Sequence, residues 1–519
     1  MSAAAVTSSG AAALQVLMAR LGGVTREMSA VLRRASYSPN IKERADFSCA
    51  LFTPDGELLV QAENIPVHLG SMPASVAAVI DRFGDGLRPG DQVAVNDPFC
   101  GGTHLNDITV VAPCFVDRPG GGRRLAGWVA NRAHHADVGG AAPGSMPAQA
   151  TEIFQEGLRL PPVVVDESVR AILLANSRTP AERAGDLDAQ LGANRVGVAR
   201  LATLADEPLA DVVDYGERRM RAALAAVGDG EWQFADRLDS AGSAQDGAVP
   251  LQVRIAIRGD EVEVDFTGSA PQTAGNVNAV AAVTVSAVAY ALRSALDPTI
   301  PANGGAMRPV RVTIPPRSVL AAEAPAAVAA GNVEVSQRVA DLCLGALAAA
   351  CPQRVGAASQ GTMNNLLIGG RGWVYYETVA GGQGGRPGRA GMSGVHTAMT
   401  NTKNTPVEAL ERAYPMRVLR YRLRRGSGGA GAFPGGEGIE RDLLLLEDVV
   451  VSLITERRVS PPWGLAGGSP GAIGENWLLP GGDESRAHRL PDKCTIEVRA
   501  GDVLRMLTPG GGGWGAPGV

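Results

Sequence analysis

From Tyr375 onward, glycine and proline are so dense that they leave room mainly for short strands and long irregular loops. Each interior glycine costs a helix about 1 kcal/mol and each proline about 3 kcal/mol, whereas both residues are the usual punctuation of turns. The apolar runs between them, over 443–446 and 449–454, have strand length. The last third therefore reads as β-rich, and its loops after Gly381 are expected to form partner contacts or a lid.

The rest of the chain is mixed. Leu14, Leu17, Met18, Leu21, Met28 and Val31 recur at three- and four-residue spacing, which predicts an amphipathic helix interrupted at Gly22-Gly23. Two short runs, 47–52 and 57–61, flank Pro54-Asp55-Gly56 and predict a hairpin. Residues 71–83 read as helix, and 92–95, 108–116 and 125–131 as strands. The stretch 180–215 is helix-rich and polar. Alternation over 251–257 and 261–266 predicts a second hairpin around Gly259-Asp260, followed by apolar helices over 279–296 and 335–350. At 519 residues the chain is too long for one ordinary core. The expected fold is α+β and multi-domain. A mixed α+β domain (1–215) is followed by an α/β segment holding the central hairpin and apolar helices (216–374), then by the β-rich, Gly/Pro-loop-rich C-terminal region (375–519).

Composition excludes several functions. The net charge is −5, and only three lysines occur (Lys42, Lys403, Lys493), so there is no basic stripe of the kind a nucleic-acid binder carries. The longest apolar stretch, 279–292, contains Thr284 and Ser286 and is too short to cross a bilayer. Six scattered cysteines form no C-x-x-C pair, which fits a reducing cytoplasm. The chain reads as cytoplasmic, with no nucleic-acid and no membrane partner.

Chemistry concentrates in two segments. His104 and Asp107 are three residues apart in Asn96-Asp97-Pro98-Phe99-Cys100-Gly101-Gly102-Thr103-His104-Leu105-Asn106-Asp107, so one helical turn would point both the same way. Gly101-Gly102 would let the backbone approach a ligand. The second segment, 131–140, carries His134-His135 after a strand. If it stays extended, only one of the two can face a site. Asp46, at a strand mouth, is a third contributor. Imidazole with carboxylate suits zinc, manganese or iron. H-x-x-D spacing alone equally fits histidines that cap turns.

His68 is a candidate acid/base or substrate contact. His396 is ambiguous, and His488 falls in a charged loop without a role. Gly467–Gly471 fits G-x-S-x-G only formally, because a nucleophile elbow needs a strand before it and a helix after it, and Pro470 sits in a loop-rich stretch. Gly510–Gly515 fits G-x-G-x-x-G with too little chain left for the helix. No phosphate-binding G-x-x-x-x-G-K-[ST] occurs, so nucleotide is expected on another subunit or at an unmarked site.

Read in order, Ser38-Pro39-Asn40-Ile41-Lys42-Glu43-Arg44, His68-Leu69-Gly70-Ser71-Met72, Asn96-Asp97-Pro98, Gly101 to Leu105, Ala136 to Gly140, Asp265 to Ser269, Gly275 to Asn278, Gly331 to Glu334, Asn401-Thr402, Thr405 to Glu408, Ser427 to Gly431 and Thr508 to Gly513 closely resemble the hydantoinase B/oxoprolinase family. That family takes in B subunits of N-methylhydantoinase-type enzymes, the C-terminal half of 5-oxoprolinase, and subunits of acetone and acetophenone carboxylases.

The resemblance implies an obligate complex. A hydantoinase A-type partner binds ATP and activates the substrate carbonyl, and the B-type chain holds a divalent metal on Asp46, His104, Asp107 and His134. Asp97 and Asp137 would orient the imidazoles, and His68 would line the same cavity. The implied activity is hydrolysis of a cyclic amide (hydantoin, 5-oxoproline or another lactam) by metal-activated water. The alternatives are a subunit of an ATP-dependent ketone carboxylase and a non-catalytic scaffold for the A-type chain. Asn106 departs from the proline frequent in relatives, and Ala390 from an aspartate.

Overall fold

A computed structural model describes residues 8–62, 65–242 and 247–518. The fold is α+β, as the sequence predicts, and the described residues form four sheets.

The first sheet is antiparallel. Strands β1 (Phe47–Phe52), β2 (Leu58–Gln61), β3 (Val93–Val95), β4 (Asp107–Asp117), β5 (Arg123–His134) and β6 (Val163–Val164) lie in the order β2-β1-β5-β4-β3-β6. Both faces are covered, and strand alternation decides which residue goes where. Phe47, Cys49, Leu51, Val129 and Ala133 pack with Leu21, Met28 and Leu32 of the Ser8–Ala35 helix and with Ala189 and Ala193 of the Pro180–Ala202 helix. Ala50, Phe52, Trp128, Ala130 and Val111 pack instead with Val76 and Val79 of the Met72–Phe83 helix.

The expected break at Gly22-Gly23 does not occur. The first helix runs unbroken through both glycines, because burial of Leu17, Leu21, Met28 and Leu32 outweighs the propensity cost of two glycines.

The second sheet, β7 (Gly230–Leu238), β8 (Val249–Arg258), β9 (Glu261–Asp265) and β10 (Val310–Thr313), has the order β10-β9-β8-β7. One face is covered by the Ala281–Leu296 and Ser336–Leu347 helices, where Val253, Ile255 and Ile257 meet Val288, Leu292, Val339 and Leu342. The second of these helices is entered through a fully buried π-turn, Gly331–Val335.

The remaining strands are β11 (Asn365–Gly370), β12 (Trp373–Thr378), β13 (Met416–Arg424), β14 (Gly438–Leu445), β15 (Val449–Ile454), β16 (Glu475–Leu479), β17 (His488–Leu490), β18 (Lys493–Val498) and β19 (Val503–Leu507). They form one sheet ordered β12-β11-β15-β18 and another ordered β13-β14-β19-β16-β17.

A boundary at 215/216 would cut the Leu209–Val227 helix, and one at 374/375 would cut β12. The largest apolar cluster runs from Ile65 to Ile454 across both points. A buried ionic network also ties β7 and the Ser336–Leu347 helix to the C-terminal sheets, with Arg338 to Glu456 at 3.0 Å, Lys493 to Glu456 at 2.6 Å and Arg457 to Asp341 at 2.8 Å.

The glycine-rich segments after Gly381, expected as a lid or partner surface, pack backbone to backbone, with 510–513 buried and much of 386–392, 428–436 and 464–470 at or near the surface. Extended pieces around 381–385, 428–436, 464–471 and 510–513 hydrogen-bond to one another edge by edge: Gly385 N–H to Gly512 O, Gly511 N–H to Gly436 O, Gly429 N–H to Gly511 O and Gly513 N–H to Ser469 O. Gly510 to Gly513 are buried. The two formal glycine motifs, Gly467–Gly471 and Gly510–Gly515, are pieces of this packing. No described helix is long and apolar enough to cross a membrane.

Candidate metal centre

The loop 96–106 is shaped by its own backbone. Asn96 closes it, its Nδ2 donating to Leu105 O and Leu158 O while its Oδ1 accepts from Leu160 N–H. A Cβ on Gly101 would lie 2.5 Å from Ala74 O, and one on Gly102 would lie 2.4 Å from Asn96 O. The glycine pair therefore serves chain-to-chain contact rather than approach to a ligand.

The loop ends in a turn in which Asp107 N–H donates to His104 O at 3.1 Å. This turn, rather than a helical one, brings the two side chains together. Asp107 opens β4 and pairs directly with His134, the last residue of β5. Cross-strand partners share a face, so both side chains project from the face that carries Val111 and Ala130. The next residue, His135, points to the other face and meets Gln190 Oε1 at 2.8 Å. Strand alternation separates the adjacent histidines as expected.

At the centre, His104 Nε2 stands 3.3 Å from His134 Nδ1, which stands 3.4 Å from Asp107 Oδ1. Potential ligand atoms of His104, Asp107 and His134 all lie within 4.8 Å of one another, and all three residues are buried. A tetrahedral ion held at about 2.1 Å sets its ligand atoms about 3.4 Å apart, close to the two spacings observed. His104 Nδ1 and His134 Nε2 have no hydrogen-bond partner.

Burial pushes His104 down to about 4, against the pull of Asp107 and Asp46, so the ring is neutral and free to bind a cation at neutral pH. Burial would raise Asp107, but His104 and hydrogen bonds from His134 and His68 hold it well below the usual carboxylate range. A neutral imidazole beside an ionised carboxylate is what a divalent ion requires.

His68 lies against the same carboxylate. Its Nε2 is 3.4 Å from Asp107 Oδ2, and its Nδ1 is held by Ser48 Oγ at 2.8 Å. Thr103 Oγ1 donates to Asp107 Oδ2 at 3.0 Å. Asp46 lines the cavity and its carbonyl accepts from His134 N–H. Its carboxylate lies 3.7 Å from Arg44, outside the cluster formed by the other three.

Asp97 and Asp137, expected to orient imidazoles, take other partners. Asp97 accepts from Phe99 N–H and pairs with Arg159 at 3.3 Å. Asp137 accepts from the N–H groups of Gly139, Gly144 and Arg178 and from the Arg178 guanidinium. Both organise loops. His396 meets Asn404 Oδ1 at 3.2 Å and is not among the lining residues.

The cavity is about 20 Å³ and draws walls from distant parts of the chain, including Asn332, Val333, Met363, Tyr376, Met399 and Thr400. Sequence reading assigned none of these a role. Gly331–Glu334 and Asn401-Thr402 were visible as motif text, but nothing local in the sequence marks Tyr376, whose ring stacks on His134 at 4.5 Å and 22°.

The sequence profile described as Hydantoinase B/oxoprolinase matches residues 11–517. An uncharacterized protein of Methanocaldococcus jannaschii is 41% identical over 521 residues, covering 97% of this chain and 90% of its own. The 5-oxoprolinase 1 of Arabidopsis thaliana is 39% identical over 539 residues, covering 97% of this chain, which spans only 42% of that longer protein. The crystal structure of an ATP-dependent caprolactamase from Pseudomonas jessenii superposes with a TM-score of 0.89 at 29% identity, covering 97% of this chain and 90% of that one.

Proposed function

We propose, from the premise that this chain belongs to the hydantoinase B/oxoprolinase family, that it is the metal-holding subunit of an ATP-dependent hydrolase of cyclic amides. Two similarities support this reading: 5-oxoprolinase is the name of one relative, and ATP-dependent caprolactamase that of a protein with the same fold. The chain matches 42% of the plant protein and carries no phosphate-binding glycine loop of its own. The nucleotide therefore falls to an A-type partner.

The observation that carries the reading is the convergence of His104, Asp107 and His134 at one buried point. These residues would hold the ion, with Asp46 at the cavity wall as a fourth candidate ligand. A bound zinc, manganese or iron ion supplies polarisation of a carbonyl and activation of water near neutral pH.

The chain's own residues prepare that site. His68 and Thr103 fix one oxygen of Asp107, leaving the other toward His134. Ser48 Oγ holds Nδ1 of the His68 ring, which aims Nε2 at Asp107. Ile65, Val67, Met363 and Met399 exclude bulk water from the cavity, which strengthens every electrostatic interaction inside it. Phosphorylation of the amide carbonyl by the partner would convert its oxygen into a leaving group.

The test is to purify the chain with its A-type partner, measure bound metal, and assay ring opening of hydantoins and lactams with and without ATP. His104→Ala is expected to lose metal and ATP-dependent ring opening together. Full activity of that variant at unchanged metal content refutes the assignment. An absolute requirement for bicarbonate would instead mark a ketone carboxylase.

A further inference from the structure

The imidazole of His134 has one nitrogen with no hydrogen-bond partner, so hydrogen bonding from that side does not set its plane. The Tyr376 ring, stacked on it at 4.5 Å and 22°, does. Tyr376 is itself tethered: its hydroxyl donates to Asn365 Oδ1 at 2.9 Å, and the Arg44 guanidinium lies 4.7 Å from its ring. Asn365 is held in turn, its Nδ2 donating to Glu334 Oε1 at 2.7 Å. Glu334 Oε1 also accepts from Met363 N–H at 3.1 Å, and Met363 lines the cavity.

Glu334 belongs to the π-turn Gly331–Val335, all of it buried. Such turns are rare and concentrate at functional sites. Here the same turn presents Asn332 to the His104 ring and Val333 to the cavity. One five-residue turn thus reaches both imidazoles, His104 directly and His134 through Asn365 and Tyr376.

We propose that Glu334 and Tyr376 are positioning residues for the metal centre: Glu334 fixes Asn365, Asn365 fixes the Tyr376 hydroxyl, and the Tyr376 ring fixes the plane of His134. The inference rests on the metal reading of the site and adds to it a support built from the other half of the chain. Groups that orient metal-bound histidines typically change metal affinity about 10- to 100-fold when removed.

The experiment measures zinc(II) affinity of the purified complex by competition with a chelating dye, with thermal unfolding of the zinc-saturated protein recorded in parallel. Tyr376→Leu is expected to weaken zinc binding about 10- to 100-fold, and Tyr376→Phe, which keeps the stack, is expected to lose less. Glu334→Ala is expected to weaken binding about tenfold, and Glu334→Gln, which keeps an acceptor for Asn365, to restore it.

A side chain that only fills space would lower the unfolding temperature without this ordering of zinc affinities. Tyr376→Leu or Glu334→Ala protein that folds and binds zinc within twofold of the unsubstituted protein overturns the proposal. If Tyr376→Leu does not fold, the Glu334 pair decides. Unsubstituted protein that binds zinc no better than His104→Ala overturns the metal reading itself, a result distinguishable from loss of the positioning role alone.

Discussion

Gly512→Ala isolates what the glycine-rich packing contributes to stability. Gly512 is buried between neighbours on several sides: its N–H donates to Ala358 O at 2.8 Å, and its carbonyl accepts from Gly385 N–H at 2.9 Å. Its φ lies outside the left-handed region, so alanine can adopt the backbone conformation, and the whole cost is one of space. The added methyl would sit 2.1 Å from Trp463 O and 2.7 Å from Trp463 C.

Comfortable contact needs about 3.5 Å, so two backbone segments must part by more than 1 Å, and neither is the flexible end of a side chain. Separation on that scale breaks at least the two hydrogen bonds of Gly512, and each buried group left unpaired costs about 1–3 kcal/mol. The expected loss is about 4 kcal/mol or more, in the exceptional range for a point substitution. Urea unfolding followed by tryptophan fluorescence measures it. Gly388→Ala is the control: its φ of 75° is unfavourable for alanine, but nothing lies within 4 Å of the new methyl, so about 1 kcal/mol is expected. A Gly512→Ala protein within 1 kcal/mol of the parent would show that these segments are loosely apposed.

Further outcomes follow from the buried groups and the cavity. Burial pushes the Glu156 carboxyl up to about 8, against hydrogen bonds from Ala329 and Val328 N–H. Between 4.5 and 8 the folded chain keeps a proton that the unfolded chain has released, so this group's contribution to stability falls as pH rises through that window, by about 3 kcal/mol at pH 7. Glu156→Gln should therefore be more stable than the parent at pH 8 and similar at pH 4.5; parallel urea midpoints at both pH values would refute this. Burial lowers His135 to about 4, which has the opposite sign. Stability from its neutral ring is present above about 6.5 and is lost as pH falls toward 4, so His135→Asn should flatten the acid limb of the unfolding curve. The cavity of about 20 Å³ holds one water or ion, whereas sites for small molecules are about 300 Å³ or more. Under the proposed ring opening, a wall must move to admit the substrate. One wall segment without helix or strand is 397–405, with Ala398 at φ 53° and unpaired Thr397, Thr400 and Thr405 hydroxyls. Its amides should exchange with deuterium faster than those of β4 and β5, and equal protection would exclude it as the entrance.

What the sequence discloses of this site stops where local periodicity stops. Asp107 and His134 belong to neighbouring strands joined by a short loop, so alternation alone predicts that one member of His134-His135 faces Asp107 and the other faces away, as observed. The hairpins over 47–61 and 251–266 are legible for the same reason. Asp97 and Asp137 sit in sequence beside the cluster, yet their carboxylates serve turns: adjacency along a loop says nothing about the direction of a side chain that can hydrogen-bond to its own backbone. Asn332, Met363, Tyr376 and Met399 lie more than 190 residues beyond His134 in sequence and reach the cavity only because β12 and the π-turn are docked against the first sheet.

The glycine segments misled for a related reason. Their pattern has neither the period of a helix nor that of a strand, because a residue without a side chain contributes to packing through its backbone on every side. The same property that hides them in the sequence makes them close-packed in the fold. They also join the region of the cavity to the far end of the chain: Gly382 N–H donates to Pro509 O, and Gln360 N–H to Gly382 O, between the β12 wall of the cavity and the C-terminal strand. Rigidity at Tyr376 therefore depends on residues that carry no chemistry of their own, and a substitution such as Gly512→Ala should loosen the metal centre even where the chain still folds.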